Sequence, residues 1–330
     1  MISFSIVIPV YNGQKHLELA INSALNQTRQ ADEVVIYDDC STDSSVQVAT
    51  AFGDRVRLVR GQDGPSGFVN GWNKSIAHAK GDYISILHQD DLLYPDFLKA
   101  IESAILGNPD CRHVFAVCDY IDEKSAIMDS FPLMDKETVR YSGREYVKAY
   151  QKTYGSIPHI HRCPGVVTHR SIFEKDKCLY REQAGHMADD DFFYRVAQYT
   201  DVVGLLTPHA AYRQHAGSAT SSLDHLRMVR RLAMDYLYQV RQWHDSDFLE
   251  LPEKRYFEHW ALKYIFSMMF QALKCGDRPM FNEARTNYQD TISVGLLCEH
   301  GFMLSRLRYL LVLEKMIGFR LLSAIAGLYA

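Results

Sequence analysis

No run of about 18 uncharged apolar residues occurs in this chain, so nothing in it reads as a membrane-spanning helix. There is no C-x-x-C pair either. The seven cysteines, Cys40, Cys111, Cys118, Cys163, Cys178, Cys275 and Cys298, are scattered and odd in number, so free thiols in a reducing compartment are expected. A strong positive field is missing: 36 basic residues against 40 acidic ones leave a formal charge of −4, which argues against a nucleic-acid partner. An anionic substrate would therefore need local help from a cation. Gly61, Gly64 and Gly67 are spaced G-x-x-G-x-x-G rather than G-x-G-x-x-G, and no partner acid is evident, which weakens a dinucleotide-dependent dehydrogenase. The first loop lacks the basic, glycine-rich character of a triphosphate cradle, which counts against nucleotidyl transfer. Met1 leads straight into Ile6–Val10 without a basic flank or a small-residue cleavage site, so the opening reads as a strand and a cytoplasmic location is expected.

What is present is a chain of 330 residues, 47% hydrophobic, enough for one domain plus a substantial appendage. Short β-branched runs at Ser5–Val10, Glu33–Tyr37, Val56–Val59, Tyr83–Leu87 and His113–Cys118 alternate with helical spacings such as Leu17, Ile21 and Leu25, or Leu98, Ile101 and Ile105. That alternation predicts βαβ units and a largely parallel sheet flanked by helices. Ser41-Thr42-Asp43 and Pro95-Asp96 signal helix starts. From Asp129 to Tyr180 the pattern weakens, and Gly155, Pro158, Pro164 and Gly165 mark loops. After Ser222 the character turns helical, with Leu226, Val229, Ala233, Tyr236, Leu237, Val240 and Trp243 on one face. The expected division is a domain over 1–221 and a helical region over 222–330.

Four clusters carry chemistry. The strand Ser5–Val10 ends in Tyr11-Asn12-Gly13, a loop that faces the ligand crevice at the carboxyl edge of a parallel sheet. Tyr11 there either stacks on a nucleobase or simply packs. Asp38-Asp39-Cys-Ser-Thr-Asp43 follows the second strand; two adjacent carboxylates there need hydrogen bonds from a ligand or a loop, and Asp43 reads as a helix cap. His88-Gln-Asp-Asp91 follows an apolar strand, and carboxylates at such a terminus suit a hard divalent cation. Finally, Asp189-Asp190-Asp191 precede Tyr212-Arg-Gln-His215. Three consecutive carboxylates repel one another unless a cation, a proton-transfer role or a helix N-terminus offsets the cost.

In this order the clusters, over roughly residues 3–220, resemble the family 2 glycosyltransferases with their GT-A fold. The stretches that carry the resemblance are Ser5–Gly13, Asp38–Asp43, Asn73–Ile84, His88–Asp91, Asp189–Arg195 and Tyr212–His215. The resemblance implies inverting transfer of a hexosyl or related sugar from a nucleotide-diphosphate donor, UDP- or dTDP-linked, to a hydroxyl of a glycan or lipid-linked acceptor. Bacterial surface polysaccharide synthesis is the setting that family habit suggests. Pro9, Tyr11, Asn12, Asp39, Asn73, His88, Asp90 and Arg213 would bind the nucleotide sugar. Asp90 and His215 would hold Mn²⁺ or Mg²⁺, and Asp189, with Asp191 as the second catalytic candidate, would deprotonate the acceptor. Cys163-Pro-Gly165 and His159 would shape the acceptor site by position. Three positions depart from the family pattern: His88 stands for an aspartate, Trp72 for an arginine and Ala188 for a glutamate. His88 and Ala188 keep open the alternative of a catalytically degenerate GT-A domain that binds a glycan or protein.

Phe302–Ala330 mixes apolar residues with Arg306, Arg308, Lys315 and Arg320 against the single acid Glu314. Peripheral contact with the inner face of a membrane and homo-oligomerisation through the C-terminal helices are both compatible with this composition. Charges spread around the whole helical wheel favour packing over a membrane-surface helix.

Overall fold

Each apolar β-branched run becomes a strand because alternate side chains can be buried on both faces beneath helices. The computed structural model describes residues 2–130, 132, 137–153, 159–217, 224–293 and 301–327. Gly155, Pro158, Cys298 and the boundary expected near residue 221 lie outside the described residues. Two units are distinguished, Met1–Glu182 with Ala188–His215, and Gln183–Met187 with Ala216–Ala330.

In the first unit, β1 (Phe4–Val10) lies parallel to both β2 (Glu33–Asp38) and β4 (Tyr83–Ile86), and β2 lies parallel to β3 (Arg57–Arg60). The crossovers carry α1 (Leu17–Leu25), α2 (Ser45–Thr50) and α3 (Phe68–His78). The helix α4 (Phe97–Gly107) covers the next stretch of sheet. Ile6, Ile8, Leu17, Ile21, Ile36, Leu98 and Ile101 are fully buried, each burial contributing about 1.5–3 kcal/mol.

Beyond β4 the sheet becomes mixed. Its order is β3-β2-β1-β4-β9-β6-β10-β5, where β5 is Leu92–Leu93, β6 His113–Ile121, β9 Val166–His169 and β10 Val202–Arg213; β7 (Ile127–Asp129) pairs with β6 and β8 (Thr138–Tyr141) with β10. Strand β9 runs antiparallel to both neighbours, whereas β6 and β10 are parallel. Pro208 interrupts the sequence signal of β10, and the ladder with β6 accommodates it at a register shift between Leu205 and Ala210, the kind of irregularity where proline is tolerated.

The stretch read as loops contains α5 (Gly143–Thr153) and α6 (Arg170–Glu174), and α7 (Ala188–Val196) follows. Tyr146, Val147 and Tyr150 form the buried face of α5. His159, Cys163, Pro164 and Gly165 are all buried, and a Cβ on Gly165 would lie 2.2 Å from the Ala116 carbonyl oxygen. Gly165 therefore packs closely against β6, and any part these residues play in an acceptor site is through the walls of the fold rather than an exposed surface. The six described cysteines are free thiols.

The second unit is helical: α8 (His225–Trp243), α9 (Leu251–Cys275), α10 (Arg278–Ser293), α11 (Gly301–Ile317) and α12 (Phe319–Gly327). Asp224 caps α8 by accepting the Arg227 N–H. Val229, Ala233, Tyr236, Leu237, Val240 and Trp243 are buried while Arg227, Arg230, Arg231 and Arg241 are exposed. Tyr236 stacks on Trp260 and Tyr264 of α9, and Gly276 ends α9 in the left-handed region at φ 69°. Among the described residues, no helix is long and apolar enough to cross a membrane.

Candidate functional site

The loops after β1, β2 and β4 and the segment after β10 bring Tyr11–Gly13, Asp38–Asp43, His88–Asp91 and His215 together. The loop after β1 is pinned from two sides. Gln89 accepts the Tyr11 N–H at 2.9 Å and donates to the Tyr11 carbonyl at 3.2 Å. A Cβ on Gly13 would fall 2.3 Å from Gln89 Oε1, so glycine is what lets this side chain lie across the loop. On the other side, Asn12, at φ 51°, accepts the Thr42 N–H at 2.8 Å and donates its own N–H to Ser41. Asp43 accepts from Gln14 and from Ser45 at the start of α2, a capping contact. With its backbone fixed, Tyr11 remains 47% exposed as a residue. Pro9 lies within β1, opposite Tyr37 of β2. Gln89 carries no chemical signal in the sequence, and its clamp is visible only in three dimensions.

Asp39 is buried and accepts both the backbone N–H and the hydroxyl of Ser66, at 2.7 and 2.8 Å. Asn73 clasps the backbone of Tyr180, donating to its carbonyl and accepting its N–H. That clasp sets Tyr180 edge-on against Trp72, and the Trp72 indole stacks on His88 with centroids 5.0 Å apart and planes 19° off parallel. Burial lowers the His88 pKa, favouring the neutral imidazole, and its Nε2 is buried with no hydrogen-bond partner.

The last cluster closes on the third. Asp90 Oδ2 and His215 Nε2 are 2.9 Å apart. Arg213 is buried; its backbone N–H donates to Asp91, its Nε to the Asp90 carbonyl at 2.7 Å, and Nη1 to the carbonyls of Asp122 and Glu123. Its Nη2 is buried without a hydrogen-bond partner. Burial and the adjacent Asp90 carboxylate push the Asp91 carboxyl well up, opposed by Arg213. His16, which carried no sequence signal, has its ring 5.1 Å from that of His215, and its Nε2 is also buried without a hydrogen-bond partner.

A divalent cation fits this arrangement to a limited degree. Among the described residues, no group of three or more His, Cys, Asp or Glu could hold a metal. Asp90 and His215 nevertheless converge, and the Asp90 side chain is 24% exposed. One or two protein ligands suffice for a hard cation that keeps waters and takes phosphate oxygens from its substrate.

The three carboxylates opening α7 have separate fates. Asp191 is wholly buried and paired with Arg195 at 2.7 Å; Asp190 is buried and accepts the Tyr150 hydroxyl. Asp189 is half-buried, its Oδ1 accepting the Asp190 N–H, and its negative charge is felt at His88, Cys163 and Tyr180. Asp189 is the member of the trio nearest to serving a substrate, whereas Asp191 is occupied by its ion pair. Ala188 is fully buried.

Comparison with known proteins points the same way. The sequence model of Glycosyl transferase family 2 matches residues 5–175. An uncharacterised glycosyltransferase of Rickettsia prowazekii is 37% identical over 226 residues, 67% of this chain and 68% of that protein. One from Rickettsia typhi is 31% identical over 200 residues, and the match spans 60% of this chain and only 59% of the relative's length. Among solved structures, Staphylococcus aureus TarS 1–349 superposes with a TM-score of 0.61 at 18% identity, covering 99% of this chain and 91% of that one. TarS in complex with UDP-GlcNAc gives 0.55 at 14% identity, covering 87% and 92%.

Proposed function

The chain belongs to glycosyl transferase family 2 and has the GT-A fold, and from that premise we propose that it transfers a sugar from a UDP-sugar to an acceptor hydroxyl with inversion. The observation that carries this reading is the convergence of Asp90 and His215, 125 residues apart, at 2.9 Å beside the loop where Tyr11 is exposed. The TarS complexes with UDP-GlcNAc and UDP support the choice of uridine nucleotide. Residues 1–221 would carry catalysis and 222–330 would form a helical extension.

In this scheme Tyr11 stacks on the uracil, and the Gln89 clamp keeps its ring in place before the donor arrives. Asp39 holds the loop around Ser66 against the base pocket, or exchanges Ser66 for the uracil imide. The neutral His88, backed by Trp72, offers its Nε2 to a hydroxyl of the donor. Asp90 and His215 would hold Mn²⁺ or Mg²⁺, which when bound offsets charge developing on the departing diphosphate. Arg213 fixes the Asp90 backbone and keeps Nη2 for a phosphate oxygen. Asp189 takes the acceptor hydroxyl proton as the oxygen attacks the anomeric carbon, a contribution on the order of 10²–10⁴-fold. One displacement by one base inverts the centre.

Substitution of His88 and Ala188 motivates a second reading, a degenerate domain that binds a glycan or protein without turnover. Incubation with a panel of nucleotide sugars and candidate glycan and lipid-linked acceptors, read by mass spectrometry, separates the two. Release of UDP with sugar transfer or hydrolysis supports the enzyme; nucleotide binding without turnover of any donor supports the binding module.

A further inference from the structure

The exposed residues of α11 are not distributed as its whole helical wheel suggests. Arg306, Arg308, Tyr309, Val312, Lys315 and Met316 are exposed, whereas Leu307 is buried and Leu310, Leu311, Leu313, Glu314 and Ile317 are half-buried. At 100° per residue the six exposed positions fall within an arc of about 180°, with Val312, Met316 and Tyr309 in its middle. Tyr309 is 64% exposed, Val312 53% and Met316 73%, so this face offers bulky apolar groups to solvent, flanked by Arg306 on one side and by Arg308 and Lys315 on the other. α12 repeats the pattern, with Arg320, Leu321, Ala324 and Ile325 exposed while Phe319, Leu322 and Ala326 are buried. Every exposed charge on the described parts of the two helices is positive; the acid Glu314 is paired with Arg285 at 3.7 Å. In a chain of net charge −4 this is a local segregation of cations around apolar side chains.

We infer that this face of α11 and α12 docks on an anionic lipid surface. Val312, Met316, Tyr309, Leu321 and Ile325 would enter the boundary between headgroups and acyl chains, and Arg308, Lys315 and Arg320 would meet lipid phosphates and carboxylates. A nucleic acid would leave Val312 and Met316 unrewarded. A two-fold contact with a second copy would set cationic faces against each other, because such an interface presents the same patch from both sides. The docking face does not depend on the sugar-transfer reading.

The test is co-flotation of the full chain with phosphatidylcholine vesicles and with phosphatidylcholine–phosphatidylserine vesicles. The intact chain floats with the anionic vesicles, and high salt releases it. Arg308→Glu with Lys315→Glu lowers partitioning at least about 30-fold, since each cation near the surface is worth about a factor of five. Val312→Ser with Met316→Ser also lowers it; all four positions are exposed, and circular dichroism confirms an unchanged fold. Absence of flotation with either vesicle, equal flotation on both, or charge-reversed protein that floats like the unaltered chain overturns the inference. So does a concentration-dependent dimer in light scattering that Val312→Ser with Met316→Ser abolishes, which assigns the face to a second copy.

Discussion

Asp191 Oδ2 lies 2.7 Å from Arg195 Nη2, one turn further along α7 and equally inaccessible, while Asp189 at the mouth of the same helix keeps contact with solvent. Two carboxylates two residues apart therefore sit in different surroundings. Asp189→Asn is expected to leave nucleotide binding intact and to lower transfer on the order of 10²–10⁴-fold, because the amide keeps the shape and loses the base. Asp191→Asn is expected to destabilise the fold by about 3–5 kcal/mol, since it strands a buried guanidinium. Denaturant midpoints and transfer rates for both variants check the division. Near-normal transfer by Asp189→Asn moves the base elsewhere.

Tyr11→Ala is expected to weaken UDP binding by about 1–3 kcal/mol, the usual worth of a base stacked on an aromatic ring. Gln89→Ala keeps the ring and removes two hydrogen bonds that hold its backbone before the donor arrives, so it should weaken binding less than Tyr11→Ala. Calorimetry on both variants reads the order. A larger loss for Gln89→Ala assigns the contact to the glutamine itself.

Acid should unfold the first unit through its buried histidines. Burial holds His113 and His159 down to about 3 and lowers His161 well below its ordinary value. Between about pH 6.5 and pH 3 the unfolded chain binds protons that the folded chain does not, so stability is complete above 6.5 and falls as pH drops. Near pH 5 the loss is about 2 kcal/mol per histidine. Asp235 in the second unit, pushed up to about 7 by burial, acts in the opposite sense over an overlapping window, so the comparison is between variant and unaltered chain. His113→Gln is expected to flatten the dependence of the urea midpoint on pH. Superimposable curves would clear His113.

How much of this was legible in the sequence follows from locality. β1, β2 and β4 were readable because runs such as Ile6-Val7-Ile8 are buried on both faces, and the helix α8 because its apolar spacing and arginines segregate cleanly. β10 was hidden by Pro208, and α5 by the arginine, lysines and glutamine that surround Tyr146, Val147 and Tyr150. Within the site, the family pattern singled out Asp90, His215 and Asp189. It gave no hint that Asp39 would be engaged by Ser66, Asn73 by Tyr180 or Arg213 by three backbone carbonyls, since those partners lie 27 to 123 residues away and are chosen by the fold. Trp72 and His88 looked like two separate departures from the pattern, and the structure joins them as one stacked pair.

In the proposed mechanism Asp90 and His215 act together on a cation that receives the donor diphosphate. Calorimetric titration of UDP with and without Mn²⁺, on the unaltered chain, Asp90→Ala, His215→Ala and the double variant, tests this most directly. Mn²⁺ is expected to strengthen UDP binding in the unaltered chain, and each single substitution to remove most of that gain. The double variant should lose little more than either single one, because the two side chains serve one ion. UDP binding of equal strength with and without Mn²⁺, or a full Mn²⁺ effect in His215→Ala, would contradict the account.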